Sequence, residues 1–177
     1  IILNYSHTVL TSGTTWTVPS DWTDSNNTIE VIGGGGAGRT DTTGIAGAGG
    51  GGGGAYAKSV NIDLTPGATV DYQIGSGGIA TSLNGGDTFF NRTSGTAGTC
   101  ADTTSACAKG GLGATNATGA SGGSAASSFA TGTGNVKNDG GTGGTVHTNA
   151  DSGGGGGGAG GPNGAGGTGG AGDTDNA

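Results

Sequence analysis

The run GGGGAGGPNGAGGTGGAG, residues 155–172, decides what kind of fold this sequence can form. Glycine occupies every third position from Gly155 to Gly170, and the neighbouring row, which ends at Gly172, departs from glycine only at Asn163. The third row carries the remaining side chains: Ala159, Pro162, Ala165, Thr168 and Ala171. A repeat of three residues is that of the polyproline-II helix, and here two of its edges would be nearly bare backbone.

Two other stretches repeat this phasing. Residues 110–124 sort into two rows of Gly, Ala and Asn and one row of larger side chains that begins with Leu112 and Thr115, and a third tract has Gly at 44, 47, 50 and 53. A polyproline-II backbone makes no internal hydrogen bonds, so its N–H and C=O groups are free to pair with neighbours. Cα–H···O contacts add to this where glycine lets backbones approach. The sequence therefore predicts a bundle of polyglycine-II helices.

The composition of the chain would also suit a flexible linker, which is therefore the competing interpretation. Glycine supplies 48 of the 177 residues, against a usual share of roughly 7%. Leu, Ile, Val and Phe number 23, of which 19 lie in residues 1–94. We therefore expect residues 1–94 to form a β-sandwich with interleaved glycine tracts and residues 95–177 to form the helix bundle, unless both belong to one continuous domain. Collagen is excluded, because it needs abundant proline and the chain has three.

Strand signals lie mostly in the first half. The segment Trp16-Thr-Val-Pro19 is a short extended piece, and Thr28-Ile-Glu-Val-Ile32 is β-branched and alternating. Residues 56–74 alternate on both sides of Thr65-Pro-Gly67, which predicts a β-hairpin. Residues 87–91 form a further strand. The predicted fold is a small antiparallel β-sandwich packed with a bundle of polyglycine-II helices, with almost no α-helix.

Charge and hydropathy exclude nucleic acid and a membrane span, respectively. The net charge is −7, and the five cations are scattered. A nucleic-acid-binding protein would show a basic patch, because phosphate neutralisation dominates that affinity. No apolar run approaches the roughly 20 residues of a membrane span. The chain opens at Ile1 and contains no Met, so we expect a mature product or part of a longer chain.

Cys100 and Cys107 are the only cysteines. Their spacing matches neither a zinc ribbon nor a C-x-x-C redox motif. A small loop-closing disulfide fits better, worth about 2.5 kcal/mol on the chain-entropy model. It would favour an oxidising, extracellular setting. The alternative is two reduced thiols in an intracellular protein.

No catalytic constellation is visible. His7 and His147 are the only histidines, and no Asp-His-Ser or Cys-His arrangement can be built on them. The acidic residues are dispersed singly, and no Gly-Lys-Ser/Thr follows any glycine run. We expect no enzyme, no cofactor and no metal site.

Candidate binding residues lie where the glycine tracts are joined, because loop tips on a rigid scaffold carry binding functions. The joining segments are residues 39–43, 100–107, 135–138 and 145–152. The candidate residues in them, apart from the cysteine pair, are Arg39, Asp41, Thr42, Asn135, Lys137, Asn138, His147 and Asn149. The competing interpretation of each segment is a plain turn.

Three passages carry a resemblance to a known family. They are residues 16–38, in which Trp-Thr-Val-Pro leads to a run of four glycines; residues 49–78; and residues 85–90 with the terminal tract 153–158. Their order resembles the glycine-rich domain of phage tail fibres, and of related fibre-tip adhesins, over most of the chain. The resemblance implies stacked polyglycine-II helices that present loops to a host-cell receptor or glycan, other fibre subunits in a homo-oligomer, and a place outside the cell or on the virion surface. The cysteine pair and residues 121–133 depart from that pattern.

Two other functions stay open. A self-assembling subunit of an extracellular filament, surface layer or sheath would use the strand Ile1-Ile-Leu3 and the sandwich edges for contacts. Ice binding would use flat Thr and Ala faces of the bundle, such as the row that contains Thr115, Thr118 and Ser121.

Overall fold

Eight β-strands and no helix form the regular secondary structure of the residues that the computed structural model describes, which are 6–39, 47–92, 100, 104–115, 129–130, 134–146 and 152–173. The strands are β1 (Thr15–Thr17), β2 (Thr28–Ile32), β3 (Tyr56–Val60), β4 (Thr69–Gln73), β5 (Thr88–Arg92), β6 (Thr104–Ala108), β7 (Phe129–Ala130) and β8 (Val136–Asn138). The prediction of an all-β protein is confirmed.

The strands form two antiparallel sheets. One has five strands in the order β1-β4-β5-β6-β7, and the other has three in the order β2-β3-β8. Phe89 of β5 lies opposite Cys107 of β6, and Ala57 of β3 lies opposite Lys137 of β8. Strands from both halves of the chain therefore share each sheet, and the boundary at residues 94 and 95 that composition suggests does not divide the sheets.

The predicted hairpin over residues 56–74 is wrong. Its turn forms as expected, since the Ala68 N–H donates to the Thr65 carbonyl at 3.0 Å and Gly67 has a φ of 78°. However, β3 pairs with β2 and β8, and β4 pairs with β1 and β5. The reason is Asn61, whose φ of 53° ends β3. The chain after Asn61 crosses to the other sheet instead of continuing as a hairpin arm.

Both sheets contribute to one hydrophobic cluster. Its buried members are Val18, Val31, Ala57, Ile62, Leu64, Val70, Tyr72, Phe90, Ala106 and Ala108, with Leu10, Trp16, Trp22 and Ile29 packed against them. Trp16 makes edge-to-face contacts with Trp22 and with Phe90, each at a centroid distance of 5.7 Å. Such pairs add to the free energy that their buried area contributes. Alternation along β4 places its apolar residues on this side.

Eight extended tracts make up most of the remaining described chain, and six of them continue directly from strands. We number them by position: tract 1 (33–39), tract 2 (47–55), tract 3 (75–78), tract 4 (83–86), tract 5 (109–115), tract 6 (139–146), tract 7 (152–161) and tract 8 (164–173). Tracts 1, 3, 5 and 6 leave β2, β4, β6 and β8, whereas tracts 2 and 4 lead into β3 and β5. All six strand junctions therefore lie at the sheet end of the tracts.

Backbone hydrogen bonds join the tracts at every third residue. Tract 7 donates to tract 2 from Gly154 to Ala48, from Gly157 to Gly51 and from Gly160 to Gly54, at 2.8–2.9 Å. The same tract donates to tract 8 from Gly155 to Gly170 and from Gly158 to Gly167, both at 2.8 Å. A strand in a sheet would repeat every second residue. The period of three in the sequence is thus also the period of the hydrogen bonds.

Tract 2 lies at the centre of the tracts. It is hydrogen-bonded to tracts 1, 5, 6 and 7, and its residues 49–55 are all buried. A Cβ added at Gly50 or Gly53 would come well within 3.0 Å of a carbonyl oxygen of tract 7. A Cβ at Gly51 or Gly54 would come equally close to a carbonyl oxygen of tract 1. Contacts on two sides therefore explain why residues 50, 51, 53 and 54 are glycine.

Tracts 7 and 8 lie at the periphery and keep one row of side chains. Ala159, Ala165, Thr168 and Ala171 are all exposed, as is Pro162 in the turn between the tracts. In contrast, a Cβ at Gly157, Gly166 or Gly169 would come well within 3.0 Å of neighbouring backbone. The row that the sequence leaves free for side chains therefore faces solvent, as do Gly155, Gly158, Gly167 and Gly170 of the neighbouring row.

Asp87 ties the sheets to the tracts where tract 4 meets β5. It is 6% exposed, and its carboxylate accepts hydrogen bonds from the N–H groups of Cys100 and Gly110, at 2.7 and 2.9 Å. Lys109 forms an ion pair with it at 2.9 Å. A buried carboxylate needs such partners to offset its desolvation. Asp87 therefore fixes the start of tract 5 and the position of Cys100 together.

Candidate binding surface at the open end of the tracts

The tracts have an open end, which we define as the end remote from the sheets, at Arg39, the turn 79–82, Thr115, Val146, and the pair Ser152 and Asp173. The hydrogen-bond register supports this placement: the Arg39 N–H donates to the Gly49 carbonyl, while Gly33 at the sheet end donates to Ala55. The segments 40–46, 79–82 and 147–151 therefore have both of their anchor points at this end.

Two predicted binding segments have their anchor points together at this open end. The Ser152 carbonyl approaches the Cα of Gly47, closely enough to exclude a Cβ there. The Ser152 hydroxyl donates to the Asp173 carbonyl at 3.0 Å, and the Gly172 N–H donates to the Thr145 carbonyl at 2.9 Å. The end of the segment 40–46 and both ends of the segment 147–151 are thus held by one set of backbone contacts.

Of the five candidate binding residues in or beside these two segments, one belongs to the described part of the chain. Arg39 is exposed at the open end. Asp41, Thr42, His147 and Asn149 lie outside the described residues.

Asn135, Lys137 and Asn138 lie elsewhere. Lys137 and Asn138 belong to β8, not to a joining loop, and Asn135 directly precedes it. The Asn138 side-chain amide donates to the Gly161 carbonyl at 2.5 Å and so anchors the turn between tracts 7 and 8. Eight residues separate Asn138 from Val146, which is roughly 25 Å at about 3.1 Å per residue. These three residues cannot form one site with Arg39.

The cysteine segment also lies at the sheet end. Cys100 and Cys107 form a disulfide with a Cα–Cα distance of 5.6 Å, so the predicted pairing is confirmed. Cys107 is fully buried in β6 beside Phe89, and residues 101–103 between the cysteines lie outside the described part of the chain. The disulfide indicates an oxidising, extracellular setting.

One surface feature was missed by the sequence interpretation. A cavity of about 500 Å³ lies along β4, between that strand and the segment 11–14, and its lining includes Asp71 and Arg92. Nothing in the sequence marks Arg92 apart from the other scattered cations, because its partners come from strands and segments distant along the chain.

Within the described residues, no group of His, Cys, Asp and Glu could hold a metal ion. In the same residues, no helix is long and apolar enough to cross a bilayer. The structure is thus that of a glycine-tract protein: two antiparallel sheets extended by backbone-paired tracts, with loop anchors at one end. The family model described as a glycine-rich domain matches residues 8–176, and the chain belongs to that family. Comparison with curated proteins and with solved structures gives no match.

Proposed function

We propose that this chain is a structural and receptor-binding domain of a phage tail fibre or a similar extracellular fibre. The observation that carries the proposal is the meeting of the anchors of segments 40–46 and 147–151 at the open end, through Gly47 and Ser152. Backbone hydrogen bonds next to these anchors, from Gly154 to Ala48 and from Gly172 to Thr145, tie the tracts together there. A rigid base that projects variable loops suits recognition of a host-cell receptor or glycan.

Within this proposal the tracts are polyglycine-II helices, and the two sheets pack as a small β-sandwich. The period-three hydrogen bonds support the first point. The backbone angles support it as well: among the described tract residues, Gly164 at the start of tract 8 is the one with a positive φ. Polyproline-II geometry has a φ near −75°, which any residue can adopt. Glycine is therefore needed in the tracts for close approach of neighbouring backbones and not for its conformational freedom. The shared hydrophobic cluster supports the sandwich.

A loop replacement tests the receptor-binding role. Residues 147–151 are replaced by a Gly/Ser segment of equal length, and binding of the fluorescently labelled domain to a panel of bacterial strains is measured. We expect loss or change of the strains bound, with an unchanged midpoint of thermal unfolding. The control is Lys137→Ala on β8, which should bind as the parent does. Unchanged strain preference in a folded loop variant, or no binding by the parent, would refute the role.

Self-assembly into an extracellular filament or surface layer is the second candidate. Tract 8 favours it, because a Cβ at Gly167 or Gly170 would meet nothing within 4 Å. The intramolecular packing therefore does not require glycine at these exposed positions, and a tract of another copy could pair there. Sedimentation velocity over a range of concentrations, with negative-stain microscopy, tests this. Polymers that G167A/G170A abolishes would support the filament; a monomer or small closed oligomer at every concentration would count against it.

A further inference from the structure

The cavity along β4 has a fixed polar wall. The Tyr72 hydroxyl donates to the Ser12 carbonyl at 2.5 Å, and the Tyr72 N–H donates to the Thr14 carbonyl at 2.9 Å. Gly13 between them has a φ of 102°, and a Cβ there would collide with the Tyr72 hydroxyl. These contacts hold the segment 11–14 against the sheet, and Thr11, Ser12 and Thr14 are exposed along the rim of the cavity.

Arg92 supplies the charge of the cavity. Its guanidinium lies over the Phe89 ring, with Cζ 5.1 Å from the ring centroid. Its Nη2 is 3.5 Å from Asp71 Oδ2, at the limit of a hydrogen bond. Its Nη1 is buried and has no hydrogen-bond partner among the described residues. An unsatisfied buried donor on a charged group is costly, and with Nη2 only 3.5 Å from Asp71 the guanidinium lacks a close acceptor. Because Nη1 has no exposed surface, a ligand in the cavity would approach Nη2.

Asp71 does not fill that need. Its Oδ1 accepts the backbone N–H of Arg92 at 2.8 Å, which turns the carboxylate toward the backbone and leaves only the long contact from Oδ2. About a third of the Asp71 side chain is exposed to the cavity side. Asp71 can therefore accept hydrogen bonds from hydroxyl groups of a ligand while Arg92 receives an anion.

We propose that this cavity binds a carboxylate-bearing sugar of the uronic-acid class. The ligand carboxylate would pair with Arg92 through Nη2, which makes only the long contact with Asp71, in a charge-assisted hydrogen bond. The sugar hydroxyls would pair with Asp71 and with the hydroxyls of Ser12 and Thr14. A volume of about 500 Å³ accommodates one or two sugar rings. The site lies on the sheets, away from the open end, and does not depend on the loop function proposed above.

Titration of the ¹⁵N-labelled protein with galacturonate, its methyl ester, galactose and acetate tests the assignment by NMR. We expect galacturonate to shift the amides of residues 12–14 and 71–73 and to bind at least about 10-fold more tightly than the ester or galactose, because the charge-assisted pair is lost in both. Acetate, which lacks the hydroxyls, should also bind more weakly. The expectation for Arg92→Gln is equal affinity for acid and ester, and the expectation for Lys58→Gln, on β3 and outside the cavity lining, is parent behaviour.

Three results would overturn the proposal. They are no shifts at any galacturonate concentration, equal affinities for galacturonate and galactose in the parent protein, and binding of a free peptide carboxylate such as Gly-Gly in preference to the sugar acid. The comparison of ligands needs no variant, so it stands even if Arg92→Gln perturbs the fold. Replacement of residues 147–151 should leave the galacturonate shifts unchanged, which separates this site from the receptor-binding role.

Discussion

Adjacent glycines in tract 8 offer a stringent test of the packed tracts. Gly169 and Gly170 follow one another in sequence, and neither has a positive φ. A Cβ at Gly169 would come well within 3.0 Å of the Gly155 carbonyl oxygen, whereas a Cβ at Gly170 would meet nothing within 4 Å. Alanine at the two positions should therefore have opposite effects on the free energy of unfolding.

The magnitudes follow from the contacts. Gly169→Ala forces tract 8 away from tract 7, at a cost of about 1–3 kcal/mol for overpacking. It also strains two hydrogen bonds, from Gly169 to Thr142 and from Gly155 to Gly170, each worth about 1 kcal/mol. The net destabilisation is about 2–4 kcal/mol after these costs are combined with the entropic gain of alanine. Gly170→Ala keeps that gain alone, about 0.4–1 kcal/mol of stabilisation.

Calorimetry and hydrogen exchange measure both effects. We expect Gly169→Ala to lower the unfolding midpoint by roughly 5–15 °C and Gly170→Ala to raise it by roughly 1–3 °C. Exchange of the amides of residues 155 and 169 shows whether tract 8 detaches locally. The measurements are made at two protein concentrations to separate self-association. If the tracts were flexible linkers, alanine at the two positions would act alike, and equal effects would refute the packed arrangement.

Three more predictions concern the sheet end. Asp87→Asn should destabilise the protein by about 2–3 kcal/mol in denaturant unfolding, because it removes the charge that Lys109, Cys100 and Gly110 contact. The control is Asp63→Asn at an exposed position. Equal effects of the two substitutions would contradict the role of Asp87. Cys100→Ser with Cys107→Ser should cost about 2.5 kcal/mol, and addition of reductant should lower the parent's midpoint but not the variant's. Burial raises the pKa of Tyr56 above its ordinary value of 10.0, and the nearby Glu30 carboxylate raises it further. This phenol should therefore stay protonated in the folded protein above pH 10. Because the unfolded chain ionises first, the free energy of unfolding should fall as pH rises from 10. Ultraviolet titration checks this, Glu30→Gln should lower the pKa, and ordinary ionisation of Tyr56 in the folded state would show that the phenol is not desolvated.

Local pattern was sufficient for some strands and insufficient for their pairing. The alternation of Thr28-Ile-Glu-Val-Ile32 predicted β2 at its observed bounds. The same reasoning failed for residues 56–74, because partner choice was set by Asn61 and by strands distant along the chain. β8 was not found at all: three residues between glycine tracts carry too little periodicity to stand out, and β8 forms because β3 offers it an edge.

The candidate site shows the same limit. The sequence identified joining segments, but it could not tell which share an end, since that depends on the direction in which each tract runs. The anchor residues of the segments 40–46 and 147–151 lie at the open end, whereas Asn138 anchors a turn at the sheet end. Arg92 and Asp71 escaped notice because charge partners 21 residues apart leave no local signal.

The sequence by itself determined the period of the glycine tracts and the row that carries their side chains, because both depend only on spacing along one chain. In residues 155–172 the side-chain row that the sequence leaves is exposed in the structure. Which tract lies at the centre, which neighbours it pairs with, and which segments meet at the open end were decided by the tertiary structure alone. The physical reason is that bare glycine backbone offers the same N–H, C=O and Cα surface everywhere, so partner choice among the six tracts that adjoin strands comes from the sheets that fix their positions.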